Sequence, residues 1–257
     1  MSLSVPEVTS TPNRRGRFVC AIAAILALVI AITSAWLYWD NTRLVTSHYT
    51  VPARVGAQAD GFRIAQVSDL HTHSHGPHNE KLLAELKRQK PDLIAITGDL
   101  ISFDTSKEGT LTMARFAGEL DEIAPTYYVN GNHEVDNPHA KTLYRELTHE
   151  GVHVLRNRTE SMQVHGERLQ IMGINDPLKG RSAGATGTNE EIIGREIAYA
   201  KKDSDYSADQ PTILLGHRPD ADAAYAESGV DVVLVGHNHG GQFRLPLIGG
   251  LVSPSRT

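Results

Sequence analysis

Five short apolar runs in this sequence each end in residues that can bind a metal ion. One of them covers residues 93–96, begins after Pro91 and ends at Gly98-Asp99. Four consecutive apolar residues bounded in this way predict a strand that is buried on both faces. A carboxylate at the end of such a strand is costly to remove from water unless a cation lies against it. Asp99 is therefore expected either to cap a loop or to hold a metal ion.

The other four runs share this layout, and patterns typical of helices separate them along the chain. They cover residues 62–67, 126–129, 212–215 and 232–235, and they lead into Asp69 and His71, into Asn132 and His133, into His217, and into His237 and His239. Helices are predicted at residues 79–90, 110–120, 139–150, 189–202 and 221–228. This alternation predicts an α/β domain whose site lies beyond the carboxyl ends of the strands. The five strand ends are therefore expected to converge.

Charge and cysteine content narrow the function. The formal net charge of -5 and the pI of about 6.2 argue against a protein that binds a nucleic-acid backbone, because such a protein concentrates Lys and Arg on one face. The single cysteine, Cys20, lies in an apolar N-terminal stretch, so neither a disulfide framework nor a thiolate metal site is available. Any metal must be bound by His, Asp, Asn and similar ligands.

The apolar N-terminal stretch predicts one transmembrane helix. Residues 18–39 contain no charged residue, and 22 residues of helix extend about 33 Å, enough for the ~30 Å hydrocarbon core of a bilayer. Arg14, Arg15 and Arg17 precede it, which predicts that a tail of residues 1–17 is cytoplasmic and that the bulk of the chain is outside the cytoplasm. A cleaved signal peptide and a twin-arginine export signal are the alternatives. Residues 40–60 are expected to form a linker and a lead-in strand, and residues 61–257 the globular domain.

The polar residues at the strand ends are too many for one tetrahedral zinc site. They suit two adjacent divalent ions that share a bridging carboxylate. Two such ions generate hydroxide near neutral pH and neutralise charge on phosphoryl oxygens. The candidate ligands are Asp69, His71, Asp99, Asn132, His217, His237 and His239.

From about residue 62 onward the chain resembles the calcineurin-like metallophosphoesterases. Five ordered blocks carry the resemblance: Asp69-x-His71, Gly98-Asp99, Gly131-Asn132-His133-Glu134, Gly216-His217 and Gly236-His237-x-His239. The chain is most similar to the membrane-anchored bacterial branch that includes UDP-2,3-diacylglucosamine hydrolases. That likeness lies in Leu155-Arg156-Asn157, in Gly173-Ile174-Asn175-Asp176-Pro177, and in Gly240-Gly241-Gln242 with the later block Ser253-Pro254-Ser255-Arg256.

The resemblance implies a two-sheet αββα sandwich and a pair of divalent ions, Mn, Zn or Fe. It places one ion on Asp69, His71 and His239, a second on Asn132, His217 and His237, and Asp99 between them. His133 would then protonate or stabilise the leaving oxygen while hydroxide attacks phosphorus in line. The implied reaction is hydrolysis of a phosphodiester or pyrophosphate bond, with a lipid-linked or nucleotide-sugar substrate as one option.

Three departures and two alternatives accompany this interpretation. Glu134 stands where many relatives have Asp, and Asn238 where many have Thr; neither is an implied metal ligand. Relatives continue for some tens of residues beyond Ser253-Pro254-Ser255-Arg256, so the closing strands of the second sheet are expected to be missing. The alternatives are a phosphoesterase that acts on small soluble substrates and a catalytically inactive, metal-stabilised interaction protein.

Several further polar residues have more than one interpretation. Asn175, Asp176, Arg218 and Gln242 fit contacts with the metal ligands or the substrate about as well as they fit loop capping and turns. The histidines His73, His75 and His78 are expected to be solvated loop residues.

Overall fold

The computed structural model describes residues 14–56, 59–73, 79–239, 243–245 and 249–252. The chain divides into two compact units, Met1–His48 and Tyr49–Thr257. The first contains the helix α1 (Arg14–Thr42), which includes the whole predicted span of residues 18–39 and most of whose apolar side chains are exposed. In the described part of the chain, α1 is the one helix that is long and apolar enough to cross a membrane.

The second unit alternates strands and helices, as the sequence predicted. Its helices are α2 (Glu80–Gln89), α3 (Lys107–Asp121), α4 (Asn132–Asp136), α5 (Ala140–His149), α6 (Pro177–Ser182), α7 (Asn189–Ala200) and α8 (Asp222–Glu227). Its strands are β1 (Ile64–Val67), β2 (Leu93–Thr97), β3 (Thr126–Val129), β4 (His153–Val154), β5 (Arg158–Val164), β6 (Glu167–Gly173), β7 (Thr212–Leu215), β8 (Val232–Leu234), β9 (Phe243–Leu245) and β10 (Gly249–Val252).

Two four-stranded sheets make up the centre of this unit. The first has the order β1-β2-β3-β4, and all of its strand pairs are parallel. The second has the order β5-β6-β7-β8, in which β5 and β6 are antiparallel and the other pairs are parallel. Because β1, β2 and β3 are parallel, their carboxyl ends lie along one edge of the first sheet, and those of β7 and β8 lie along one edge of the second.

Alternating side chains place these sheets face to face. On β2, Leu93 and Ala95 pack with Ile171 of β6 and Ile213 of β7 in a core that lies between the two sheets. The intervening residues of β2, Ile94 and Ile96, pack on the other face with α2, α3 and α5. The outer face of the second sheet packs against α7 through residues such as Leu214 and Ile193. The predicted αββα sandwich is therefore confirmed.

Several features differ from the sequence prediction, and three of them bear on the architecture. The hairpin of β5 and β6 was not predicted; its two-residue turn, His165-Gly166, has φ values of 50° and 91°, the left-handed pair that a tight hairpin requires. The helix α3 begins at Lys107 rather than at residue 110, because the Ser106 side chain accepts a hydrogen bond from Gly109 N at 3.2 Å and caps the helix. The described residues between Thr42 and Ile64 form no strand, so the lead-in strand is not observed.

Segments at both ends of the second unit complete its description. Before β1, the chain is fastened to the second sheet: Arg54 Nε donates to Asp231 Oδ1 at 2.6 Å, and Gly56 N donates to Glu167 Oε2 at 2.7 Å. Near the carboxyl terminus, β9 and β10 form a separate antiparallel pair. The Ser253-Pro254-Ser255-Arg256 block lies outside the described residues.

We expect Ile171→Ala to lower the free energy of unfolding by about 2–5 kcal/mol, because it leaves a cavity between the sheets. Ile171 is 0% exposed, so removing its outer methyl groups takes away contacts with the side chains around it, and water does not fill the space. Urea unfolding of the full chain in detergent measures the change. Ile171→Val should cost about 0.5–1.5 kcal/mol; equal effects of the two substitutions would contradict the packing described here.

Candidate metal centre

The side chain of Gln66 joins the two sheets at the carboxyl ends of their strands. Gln66 Nε2 donates to Thr97 Oγ1 of the first sheet at 2.9 Å and to the Val235 carbonyl oxygen after β8 at 2.8 Å. Next to this link, Gly98 has a φ of 92°, and a Cβ atom there would lie 2.6 Å from both Gly131 N and His217 Nδ1. Only glycine permits this close approach of the β2, β3 and β7 ends.

Many of the predicted ligands have left-handed backbone conformations. The φ values are 54° at Asp69, 47° at His71, 50° at Asp99, 69° at His237 and 51° at His239. For residues other than glycine this conformation costs roughly 1–2 kcal/mol each. Such strain is typical of functional sites, where the surrounding structure fixes a side chain in an unusual direction.

One group of potential ligands consists of Asp69, His71 and His239. The Nε2 atoms of His71 and His239 are 3.2 Å apart, and His239 Nε2 lies 3.7 Å from Asp69 Oδ1. Asp69 is held in place by Ser68 Oγ, which donates to its Oδ2 at 2.7 Å, and by His237 N, which donates to the same oxygen at 2.9 Å. Two imidazole nitrogens and a carboxylate oxygen thus converge on one point.

A second group consists of Asp99, His217 and His237, with Asn132 beside it. His217 Nε2 lies 3.3 Å from Asp99 Oδ2, 3.1 Å from Asn132 Oδ1 and 3.2 Å from His237 Nδ1. His217 Nδ1 lies 2.8 Å from the Thr97 carbonyl oxygen, which can only accept, so Nδ1 carries a proton. A neutral His217 therefore presents the lone pair of Nε2 to the other ligands.

Asp99 lies between the two groups. Its Oδ2 atom is 3.3 Å from His217 Nε2 and 3.7 Å from His71 Nε2, so one carboxylate oxygen is within reach of both. Burial raises the pKa of Asp99, but the hydrogen bond and charge of His217 lower it to about 2, and the carboxyl group is ionised. Conversely, burial lowers the pKa of His217, whereas Asp99 raises it to about 9.

His133 lies at the rim of this arrangement. Its backbone N donates to Asp99 Oδ1 at 2.9 Å, and its ring centroid is 4.5 Å from that of His71. Phe103 N donates to His133 Nδ1 at 3.2 Å, so the proton of a neutral ring is on Nε2, which is 4.0 Å from Asp99 Oδ2. His133 also belongs, with His71 and Asp99, to a third group that could hold a metal ion.

Glu134 is a structural residue of the site that the sequence analysis left without a role. It is 0% exposed. Its carboxylate accepts hydrogen bonds from the backbone N atoms of Asp99 at 2.9 Å, Ile101 at 3.1 Å and Gly131 at 2.7 Å. Burial, followed by the charge of Asp99, raises the pKa of Glu134 to about 7. The sequence signal was the Gly-x-x-Glu spacing at the start of α4, which is typical of a helix cap.

The other polar residues named in the sequence analysis differ in their structural roles, and some of them lie outside the described residues. Asp176 caps α6, since Leu178 N donates to its Oδ1 at 2.8 Å, and it also accepts from Arg218 Nε at 3.0 Å. Asn175 N donates to Asn157 Oδ1 at 2.8 Å. His73 is exposed. Gln242, His75 and His78 lie outside the described residues.

The chemistry of this set fits divalent metal ions. Several lone-pair donors, imidazole nitrogens and amide or carboxylate oxygens, face one another at 3.1–3.7 Å. Without a cation or protons between them, such donors would repel. Imidazole and carboxylate ligands suit Zn, Mn and Fe. The structure thus brings all seven predicted ligand residues together at one edge of the sandwich.

The profile of the calcineurin-like phosphoesterase family matches residues 62–241. Since this is more than half of the chain, the protein belongs to that family and is a metal-dependent phosphoesterase.

Three relatives illustrate the similarity. Phosphodiesterase YaeI of Escherichia coli is 28% identical over 75% of this chain and 66% of its own length, so this chain spans about two thirds of it. The uncharacterized metallophosphoesterase YkuE of Bacillus subtilis is 26% identical over 84% of this chain and 72% of its own length. The UDP-2,3-diacylglucosamine pyrophosphatase LpxG of Chlamydia muridarum is 23% identical over 89% of this chain and 80% of its own length.

We expect metal affinity to rise with pH. In the metal-free protein the pKa of His217 is about 9, so at neutral pH a metal ion must displace a proton from Nε2. Affinity should therefore increase about tenfold per pH unit for one released proton and level off above the pKa of about 9. Calorimetric titration with Mn²⁺, in buffers of different ionisation enthalpy, measures both affinity and proton release.

His153 provides the control for this titration. Its pKa is also raised, by a hydrogen bond to Glu160, but it lies on the short strand β4. His153→Gln should leave proton release unchanged. An affinity that did not vary between pH 6.5 and 9 would contradict the role of His217.

Proposed function

We propose that this protein is a dinuclear metal hydrolase that cleaves a phosphodiester or pyrophosphate bond. The observation that carries the proposal is the position of Asp99 Oδ2, which is 3.3 Å from His217 Nε2 in one ligand group and 3.7 Å from His71 Nε2 in the other. A single buried carboxylate within reach of both groups is the arrangement that a bridging ligand requires. Two ions about 3.5–4 Å apart are the common device for in-line displacement at phosphorus.

The proposed ligands follow the two groups. Asp69, His71 and His239 would hold one ion, Asn132, His217 and His237 the other, and Asp99 would contact both. Nitrogen and oxygen ligands of this kind are compatible with Mn, Zn or Fe. Bound ions would lower the pKa of a water molecule and neutralise charge on phosphoryl oxygens.

His133 is the proposed catalytic residue. In hydrolysis, a water molecule loses a proton as its oxygen bonds to phosphorus, the bond from phosphorus to the leaving oxygen breaks, and the leaving oxygen gains a proton in return. The Phe103 amide keeps Nδ1 of His133 as an acceptor, so Nε2 carries the proton on the side that faces Asp99. His133 can therefore donate a hydrogen bond from Nε2 to the leaving oxygen and stabilise the charge that develops there.

Relatives and the N-terminal helix support a substrate that is associated with a membrane. YaeI is named a phosphodiesterase and LpxG a UDP-2,3-diacylglucosamine pyrophosphatase, and α1 is long and apolar enough to span a bilayer. We propose that α1 anchors the protein, with residues 1–17 in the cytoplasm and the domain outside it.

Activity on a panel of lipid-linked diphosphates, cyclic nucleotides and phosphomonoesters distinguishes membrane-associated substrates from small soluble ones. Metal uptake without turnover on any of them would indicate an inactive interaction protein.

Asp99→Asn should abolish hydrolysis of bis(p-nitrophenyl) phosphate, because an uncharged amide cannot bridge two cations as a carboxylate does. Bound Mn²⁺ or Zn²⁺ should fall from about two equivalents to about one. Elemental analysis and initial rates measure these changes. Asp104→Asn, at an exposed carboxylate in the following loop, is the matched control. Undiminished turnover in Asp99→Asn would remove Asp99 from the mechanism.

His133→Gln should lower kcat by about 10²–10⁴-fold and leave the metal content unchanged, because the variant loses the imidazole that stabilises the leaving oxygen and not a proposed ligand. Steady-state kinetics together with metal analysis test this. If the variant instead loses a metal ion, His133 is a ligand in the group that it forms with His71 and Asp99.

A further inference from the structure

We propose that Arg218 binds the non-bridging phosphoryl oxygens of the substrate and that Asp176 positions it for this role. The inference rests on the proposed function, because it concerns the substrate of the same site. Arg218 directly follows the candidate ligand His217, so the end of β7 delivers a guanidinium group beside the metal centre. The planar fork of a guanidinium binds phosphate oxygens in a bidentate geometry, as it does carboxylates.

Arg218 is held from two sides. Its Nε donates to Oδ2 of Asp176 at 3.0 Å, and Asp176 is 0% exposed while the Arg218 side chain is 20% exposed. Its backbone carbonyl accepts a hydrogen bond of 2.6 Å from the Tyr225 hydroxyl. The guanidinium is therefore fixed through Nε, and its outer edge remains accessible to a ligand.

The outer edge of the guanidinium faces the ligand group. Nη1 lies 3.2 Å from Nε2 of His237, while Nδ1 of the same ring lies 3.2 Å from His217 Nε2, on the side of Asp99. In the described part of the chain, Nη2 of Arg218 has no hydrogen-bond partner. The Nη2 group is thus available to bind a phosphoryl oxygen next to the candidate metal ligands.

Metal binding would also make the Nη1 group of Arg218 available to the substrate. The His237 atom that belongs to the ligand cluster is Nδ1, and a neutral ring that gives its Nδ1 lone pair to a cation carries its proton on Nε2. Nε2–H and the Arg218 Nη1–H group would then be two donors facing each other, which cannot hydrogen-bond. Both Nη groups are thereby available to phosphoryl oxygens, while Asp176 retains Nε.

The experiment measures binding of inorganic phosphate to the Mn²⁺-loaded full chain by calorimetry, together with KM and kcat for bis(p-nitrophenyl) phosphate. Arg218→Gln should weaken phosphate binding by about 10–100-fold, the usual effect of losing hydrogen bonds to a charged group. Arg218→Lys, which keeps the charge without the planar fork, should show an intermediate loss. Asp176→Asn should weaken phosphate binding less than Arg218→Gln. All three variants should bind Mn²⁺ as the wild-type protein does.

Arg195→Gln is the matched control, since Arg195 is an exposed guanidinium on α7 that donates to the Thr186 carbonyl oxygen. It should leave phosphate binding unchanged. Unaltered phosphate binding in Arg218→Gln would overturn the inference. Loss of Mn²⁺ in Arg218→Gln and Arg218→Lys would also overturn it, because Arg218 would then only orient His237. If the wild-type chain neither binds Mn²⁺ nor turns over, the proposed function itself fails, which is a separate result.

Discussion

The negative charge of Asp99 lies where the residue is only 1% exposed, so groups of the protein must replace the water that would otherwise stabilise it. His133 N donates to one carboxylate oxygen at 2.9 Å, and His217 approaches the other at 3.3 Å. With a pKa of about 9, His217 is protonated at neutral pH and its charge compensates that of Asp99; bound cations would take the place of this proton. Asp99 is therefore well compensated only when the loops after β2, β3 and β7 are together, and the geometry of the whole site depends on this contact.

The strained backbone of the site has a related explanation. Left-handed φ values at Asp69, Asp99 and His237 are unfavourable in isolation. They persist because buried hydrogen bonds fix both sides of each loop. Glu134 binds three backbone N–H groups, and the Asp69 carboxylate accepts His237 N at 2.9 Å. These contacts order the loops through groups of the protein itself, so we expect metal or substrate binding to supply little further ordering.

Most of the predicted fold and site came from short apolar runs and from the polar residues that follow them. Short apolar runs such as residues 126–129 and 212–215 became β3 and β7 with the same bounds, because strands buried on both faces leave a continuous apolar signal. The family and the sandwich are confirmed, whereas the ligand roles remain predictions. The β5 strand was missed because only two of its seven residues are buried, so its sequence lacks that signal. Left-handed φ values and the buried Glu134 network depend on contacts between loops far apart in sequence, which local patterns do not encode.

The way in which the chain enters the second unit has a consequence for how that unit can vary. Arg54 and Gly56 are fastened to Asp231 and Glu167, which lie at the amino-terminal ends of β8 and β6, whereas the candidate ligands follow the carboxyl ends. The contacts of the entering chain and the candidate ligands thus lie at opposite ends of the strands of the second sheet. Changes in the residues just before Arg54 would therefore meet the ends of these strands that carry none of the candidate ligands.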